Sequence, residues 1–301
     1  MERVNCDLCG SNEPRPLFNR IDRFSDNDFK FVKCARCGLI YLNPRPTQSE
    51  IVEFYPDNYE SYKLLDYDKA SIQNWHIQRM LQTLLEFVEK FVTVRGHLLD
   101  IGCATGRFLI TARDRGWEVK GVELVEKAAQ IARQEYHLDV TIGSFDSVSL
   151  PENYYDVITF WDVLEHLPSP RTTLEKAHRF LKDNGVLVFS IPNLKSFDRY
   201  LFGAAWIGWD APRHFTLYSE SELNQLFEDI GYILIEKKCI TGGKGTFFLS
   251  MDLLSDQNKA FSMFRIFDPV ISIILWPYRQ VSYKLGRGPI ITYVIRKNNK
   301  K

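Results

Sequence analysis

Between residues 97 and 191, apolar runs of strand length alternate with segments of helical period, and this alternation restricts the fold more than any other feature. The spacing predicts strand 97–102, helix 106–116, strand 119–123, helix 126–136, strand 139–142, strand 155–161, helix 170–182 and strand 185–191. Strands joined through helices are parallel, so the expected class is α/β, a doubly wound sheet with helices on both faces. Ligands of such sheets lie beyond the carboxyl ends of the strands, where the strand order reverses. Upstream, Ile72, Trp75, Met80, Leu84, Val88 and Phe91 recur at near-helical spacing and predict a long amphipathic helix leading into the sheet.

The first strand ends in "LLDIGCATGRF", residues 98–108. An apolar run stops at Asp100, and Gly102, Ala104 and Gly106 follow before the helix begins. Small residues at a strand-to-helix turn let a nucleotide-like ligand approach the backbone. A dinucleotide turn reads Gly-x-Gly-x-x-Gly and sets a pyrophosphate on the helix amino terminus. Gly102-x-Ala104-x-Gly106 is one residue more compact, which favours a cofactor without a pyrophosphate. Glu123 closes the second strand, where a carboxylate can accept hydrogen bonds from ribose hydroxyls. Dinucleotide folds carry such an acid as well, so Glu123 alone does not discriminate.

The amino-terminal stretch is of another kind. "CDLCG" and "CARCG" are two copies of one device, with 24 residues between Cys9 and Cys34. Each Cys-x-x-Cys turn offers two thiolates, and Gly10 or Gly38 lets the bend close. Together Cys6, Cys9, Cys34 and Cys37 predict a small zinc ribbon whose closed four-sulfur site is structural. The expected divisions are a ribbon over 1–46, a linker and possible lid over 47–69, and a main domain over 70–301 with an apolar helical insert at about 250–287. The ribbon is expected to stiffen the substrate side. In the linker, Thr47 and Glu50 have capping-box spacing, and Tyr55, Tyr59 and Tyr62 read as a lid or as packing residues.

Lys plus Arg and Asp plus Glu both number 38 in the 301 residues, so no net charge draws the chain to nucleic acid or an anionic surface. The ribbon alternates basic and acidic residues and shows no basic stripe, which disfavours a nucleic-acid partner. No leader-like or membrane-spanning run is visible, and paired cysteines outside an oxidising setting suggest metal, so the expected location is cytoplasmic. "FSMFRIFDPVISIILWPY", residues 261–278, is apolar enough to cover a core, meet another subunit or lie peripherally on a membrane. The flanking "CITGGKG" and "PIITYVIRK" are predicted as the last, antiparallel strands.

Over roughly residues 70–240 the sequence resembles the class I S-adenosylmethionine-dependent methyltransferases. The landmarks, in order, are "LLDIGCATG", the acid of "GVELV", "GSFDSVSLPENYYDVIT", "FWDVLEHLPSP" and "FLKDNGVLVFSIPN". The resemblance implies a Rossmann-like, mostly parallel seven-stranded sheet and S-adenosylmethionine as cofactor. It implies that the turn of Asp100, Gly102, Ala104 and Gly106 holds the methionine part and that Glu123, with Leu124 beside it, holds the ribose. Phe145 and Asp146 would flank the adenine, and Trp161 would stand beside the cofactor at the end of the fourth strand. The family usually has glycine where this chain has Ala104. The ribbon, "YLNPRP" and "APRHFTLYSESELNQLFEDIGY" resemble one branch whose members accompany pathways for surface polysaccharides, unusual sugars or secondary metabolites.

Methyl transfer from a sulfonium needs an aligned acceptor, exclusion of water and a place for one proton. "DVLEH" puts Asp162, Glu165 and His166 on one face if the segment is helical, and "DAPRHF" adds His214. These residues read as a polar cap, as a general base at His166 or His214 with Glu165, or as a site for a second divalent ion at all four. A similar acid-x-x-Glu-His binds metal in the small-RNA 3′-terminal methyltransferases and occurs in the ubiquinone-pathway O-methyltransferases; Asp162 is a shorter acid than that pattern has. The base is the expected role. Trp206 and Trp209 read as an acceptor pocket or as core. The expected activity is S-adenosylmethionine-dependent methylation of a small-molecule or glycan acceptor at oxygen. The alternatives are metal-assisted methylation of an RNA 3′ end or a quinone-like ring, a nicotinamide-dependent oxidoreductase, and a non-catalytic binding protein.

Overall fold

The computed structural model describes residues 1–55, 72–242, 244–257 and 268–299. In chain order, β1 (Pro14–Ile21), β2 (Asp28–Cys34) and β3 (Ile40–Leu42) form the ribbon, and a single 3-10 turn follows at Ile51–Phe54. Helix α1 (Ile72–Glu89) leads to β4 (His97–Ile101), α2 (Arg107–Asp114), β5 (Glu118–Glu123), α3 (Glu126–Gln134), β6 (Val140–Ile142) and β7 (Tyr155–Trp161). Then come α4 (Pro170–Phe180), β8 (Leu181–Pro192), α5 (Phe197–Phe202), β9 (Thr216–Leu217), α6 (Glu220–Ile230) and β10 (Tyr232–Lys238). Helices α7 (Lys244–Gln257) and α8 (Asp268–Lys284) precede β11 (Ile290–Lys297).

The large sheet runs β10-β11-β8-β7-β4-β5-β6. Pairings among β4 to β8 are parallel, and β11 is antiparallel to both its neighbours. The order reverses between β4 and β7, which places the crevice between the glycine turn after β4 and the turn after β7. Period-two alternation covers both faces: Leu98 joins one cluster with α1, α2 and α3, while Leu99 joins the opposite one with α4 and α6. The helix ends follow local chemistry. Ser219 and Glu222 form a reciprocal capping box on α6, and Gly231 at φ 92° ends it.

Several boundaries differ from the sequence expectation. The buried stripe of α1 is Leu81, Leu84, Leu85, Phe87 and Val88, while Trp75 and Met80 are exposed. Helix α4 stops at Phe180 because Leu181 already begins β8, paired with Tyr155 of β7. The strand beside β11 is "YILIEKK", not "CITGGKG". Within the described part of the insert, α7 and α8 are helical. On α8, Ile273, Trp276 and Val281 are exposed, whereas Leu275 and Tyr278 pack inward. Residues 258–267, with Phe261, lie outside the described residues, as do Tyr59 and Tyr62. No helix among the described residues is long and apolar enough to cross a membrane.

The ribbon is joined to the main domain more tightly than an appendage over 1–46 would be. Its sheet has the order β1-β2-β3-β9, so Thr216–Leu217 from the far side of the chain supplies the fourth strand. Cys6, Cys34, Leu39 and Tyr41 share a core with the main sheet. Asp7, inside the first Cys-x-x-Cys, accepts hydrogen bonds from Ser169 Oγ at 2.5 Å and the Arg171 N–H at 3.0 Å. It thereby caps α4 from another part of the fold.

Candidate active site

The glycine turn lies on one side of the strand-order reversal. Gly102, Ala104 and Gly106 all adopt left-handed φ, at 69°, 47° and 77°. A Cβ on Gly102 would meet Val163 Cγ2 at 2.6 Å, and one on Gly106 would meet Leu138 Cδ1 at 2.3 Å. The small residues thus admit the chain's own side chains as well as a ligand. Ala104 holds a conformation that costs an L-residue about 1–2 kcal/mol, which is why glycine is the family's usual choice there. Ala104→Gly is therefore expected to stabilise the fold by about 1 kcal/mol, partly offset by the added freedom of the unfolded chain. Urea denaturation checks it: an unchanged or lower midpoint would show that the turn is not strained.

Glu123 is buried, and its two oxygens accept from the Ala104 and Val125 N–H groups, each at 2.8 Å. These bonds tie the end of β5 to the glycine turn and aim the carboxylate. Each oxygen keeps a second lone pair, so two ribose hydroxyls still fit as donors. Asp100 accepts from Thr159 Oγ1 at 2.7 Å, and burial pushes its pKa up to about 7. Leu124 and Asp146 are exposed at the rim. Phe145 is turned into the core against Phe160 and Phe180, so its ring is committed to packing. Trp161 ends β7, edge-on to Phe108, with a sealed indole N–H that has no acceptor among the described residues. The residues present fit S-adenosylmethionine: a left-handed small-residue turn, a ribose acceptor and an orphan donor surround the reversal point.

Across the crevice is "DVLEH". It is not an α-helix. Asp162 has φ 55°, and only Leu164–His166 forms one 3-10 turn, so i, i+3 and i+4 do not share a helical face. Asp162 is drawn away instead: its Oδ1 accepts from Ser190 Oγ at 2.6 Å, and its N–H donates to the same oxygen at 2.9 Å. The expected four-residue set is corrected to three. Ligand atoms of Glu165, His166 and His214 lie within 4.8 Å of one another, without Asp162.

Each of the three is aimed by its surroundings. The Phe215 N–H donates to the Glu165 carbonyl at 2.8 Å, fastening the 203–215 segment to the turn after β7. His214 Nδ1 lies 3.0 Å from the Gly208 carbonyl, which can only accept. Nδ1 therefore carries the proton and Nε2 presents a lone pair. Tyr55 Oη meets His166 Nδ1 at 3.1 Å, and the two imidazoles stand edge to face at 4.6 Å. His166 is recessed, and desolvation with His214 nearby pushes its pKa down to about 3. Burial also lowers His214 and raises Glu165, whose Oε2 is sealed with no partner. Neutral imidazoles beside an orphan carboxylate oxygen make a ready acceptor set for a cation.

Trp206 and Trp209 are 1% and 4% exposed, so they form core and not an acceptor pocket. Trp209 packs on Phe18 and Phe31 of the ribbon, at 4.8 and 5.3 Å between ring centroids. Sequence spacing also passes over a buried charge cluster at this seam. Arg213, fully buried, donates to Asp22 at 2.7 Å and to both oxygens of Asp210, at 2.9 and 2.7 Å. Arg23 reaches Asp210 at 3.0 Å. The alternation Phe18, Arg20, Asp22 was its only signal in the sequence.

In the ribbon, Cys6 Sγ lies 3.4 Å from Cys37 Sγ and Cys9 Sγ 3.6 Å from Cys34 Sγ, with all four ligand atoms within 4.8 Å of one another. A tetrahedral zinc with ~2.3 Å bonds to sulfur needs sulfurs about 3.8 Å apart, so the cage fits.

A family profile described as "Methyltransferase domain" matches residues 73–237, more than half of the chain. The ubiquinone biosynthesis O-methyltransferase of Coxiella burnetii (strain Dugway 5J108-111) is 28% identical over 196 residues, 59% of this chain and 82% of that protein. The enzyme of the same description from Azoarcus sp. (strain BH72) is 30% identical over 174 residues, 54% and 74% of the two chains. The solved structure of SpnF, a 4+2 cyclase, superimposes with a TM-score of 0.51 at 15% identity, covering 84% of this chain and 98% of that one. The last likeness is one of fold alone.

Proposed function

The chain belongs to the class I S-adenosylmethionine-dependent methyltransferases, and from that premise we propose that it methylates a hydroxyl oxygen of a small molecule at the Glu165–His166–His214 cluster. The observation that carries this reading is the placement of the cluster. It lies directly after β7, with Val163 against Gly102 of the cofactor turn, so an acceptor held there faces the cofactor across the strand-order reversal. The O-methyltransferase relatives support oxygen as the acceptor atom.

A hydroxyl must lose its proton as the methyl arrives. Desolvated imidazoles held neutral are weak bases, so they suit binding better than unaided proton abstraction. We therefore propose that Glu165, His166 and His214 hold a divalent cation, which when bound lowers the pKa of an acceptor hydroxyl. Glu165, which burial holds toward its protonated form, would release that proton when the cation binds and supply the negative charge, and His214 would offer Nε2, oriented by its bond to Gly208. The base reading keeps one observation in its favour, since the same tautomer leaves Nε2 of His214 free to take a proton.

Purified protein given methyl-labelled S-adenosylmethionine and a panel of phenols, hydroxy acids and sugars is expected to form a methyl ether on at least one of them. Label transferred only to amines or to RNA would overturn the assignment of acceptor atom.

A further inference from the structure

Helix α8 is fastened along one side and bare along the other. On the inner side, Leu275 and Tyr278 pack against the core that holds Trp206, Trp209 and Phe215. Tyr278 Oη donates to Asp198 of α5 at 2.7 Å, and Tyr283 Oη donates to the Thr241 carbonyl at 2.9 Å. These contacts fix which side faces out. The outer side carries Ile273, Trp276, Gln280, Val281, Lys284 and, just past the helix end, Leu285, all of them exposed. Their spacing of i, i+3, i+7, i+8, i+11 and i+12 is that of a single helical face. Ile273 is 75% exposed and Trp276 63%. Single apolar residues on a surface need no explanation, but four large ones in one stripe mark a contact surface.

The charge of this surface is one-sided. From Ile273 to Arg287 the chain has Arg279, Lys284 and Arg287 and not one acid, in a protein whose overall charge is zero. Asp198, on the helix beside it, is buried and turned to Tyr278. Arg287 reaches the Lys195 carbonyl at 3.1 Å, and Lys195 pairs with Glu220 at 3.2 Å, so that second pair cancels. Lys284 and Arg287 have no acidic partner among the described residues and leave the carboxyl end of the stripe cationic. This pattern separates the candidate occupants. A second copy of the same face would bury Lys284 with no acid to receive it, which is costly. A lipid headgroup layer imposes no such cost, because the lysine stem lies along the acyl chains while its ammonium reaches a phosphate. An indole at the edge of the stripe suits the same boundary.

We infer that the outer face of α8 docks on an anionic bilayer surface, with Ile273, Trp276, Val281 and Leu285 in the boundary between headgroups and acyl chains. The helix lies along the surface and does not cross it. Apolar burial supplies the hold, and Lys284 and Arg287 supply the preference for anionic lipid. The inference does not depend on the methyl-transfer reading.

The test floats the full chain through a density gradient with phosphatidylcholine vesicles, made with and without phosphatidylglycerol. Wild-type protein is expected to rise with the anionic vesicles, to rise far less with the neutral ones, and to be released in part by added salt. Ile273→Ser/Trp276→Ser should lower partitioning about tenfold or more, and Lys284→Glu about fivefold or more. All three positions are exposed, so both variants should melt with the wild type. If the double variant melts early, Lys284→Glu decides alone. Vesicles with brominated acyl chains should quench tryptophan emission in wild-type protein and less so in Trp276→Phe, which keeps the apolar surface. Wild-type protein left at the bottom, equal flotation with both lipids, or variants that float like the wild type would overturn the inference. So would a lipid-free dimer, seen by sedimentation, that the double variant takes apart, since the face would then belong to a second copy.

Discussion

Alanine at Glu165, His166 or His214 is expected to slow methyl transfer about 10²–10⁴-fold while leaving affinity for S-adenosylhomocysteine within about twofold. The expectation follows from position: these three converge after β7, whereas the residues that would hold the cofactor are on the turn after β4 and at the end of β5. Their mutual dependence is also readable. A cation site works as a unit, so the Glu165→Ala/His214→Ala double variant should be no slower than either single one by more than about twofold. Asp162→Asn should be mild by comparison, since Asp162 bonds to Ser190 and not to the cluster. Brief treatment with a chelator, followed by Mg²⁺, Mn²⁺ or Co²⁺, should abolish and then restore turnover. Chelator resistance with a sensitive His214 would transfer the role to a general base. Wild-type turnover in all three alanine variants would remove the cluster from the chemistry altogether.

The alternation of strand and helix was legible because its signal is local: short continuous apolar runs in β4, β7 and β8, and small residues where the chain must turn left-handed at Gly102 and Gly106. The doubled Cys-x-x-Cys was legible for the same reason. What stayed hidden depends on residues far apart in the chain. "DVLEH" has helical spacing, yet Ser190 on the neighbouring strand captures Asp162, and the backbone turns at φ 55° before any helix can form. Trp206 and Trp209 read equally well as a pocket until Phe18 and Phe31 are seen to cover Trp209. Trp75 and Met80 fit the period of α1 but fall off its buried stripe, because partners across the interface decide which part of an apolar face is covered. Tyr55 and Arg213 carry no motif. Their importance comes from a ribbon that folds back onto the turn after β7.

Replacing Cys6, Cys9, Cys34 or Cys37 with serine is expected to lower stability by more than about 4 kcal/mol and to abolish zinc binding, the second large effect that this architecture implies. The size follows from what the ribbon touches. Cys6 and Cys34 belong to the same buried cluster as Leu174, Leu223 and Phe227 of α4 and α6, so loosening the cage opens the main core as well. Asp7 would release the amino end of α4, and β3 would lose its hold on β9 two residues from His214. Purified wild-type protein should contain about one zinc per chain by metal analysis, as a closed four-thiolate site demands. Melting should show one transition that shifts downward as a whole in each serine variant, and not a separate early transition for the ribbon. Cys103→Ser, at the glycine turn after β4 and outside the cage, serves as the control and should keep its zinc. A zinc-free wild-type protein, or serine variants that melt with the wild type, would show that the four thiols pack without metal. A separate early ribbon transition would show instead that the cage and the histidine cluster stand or fall independently.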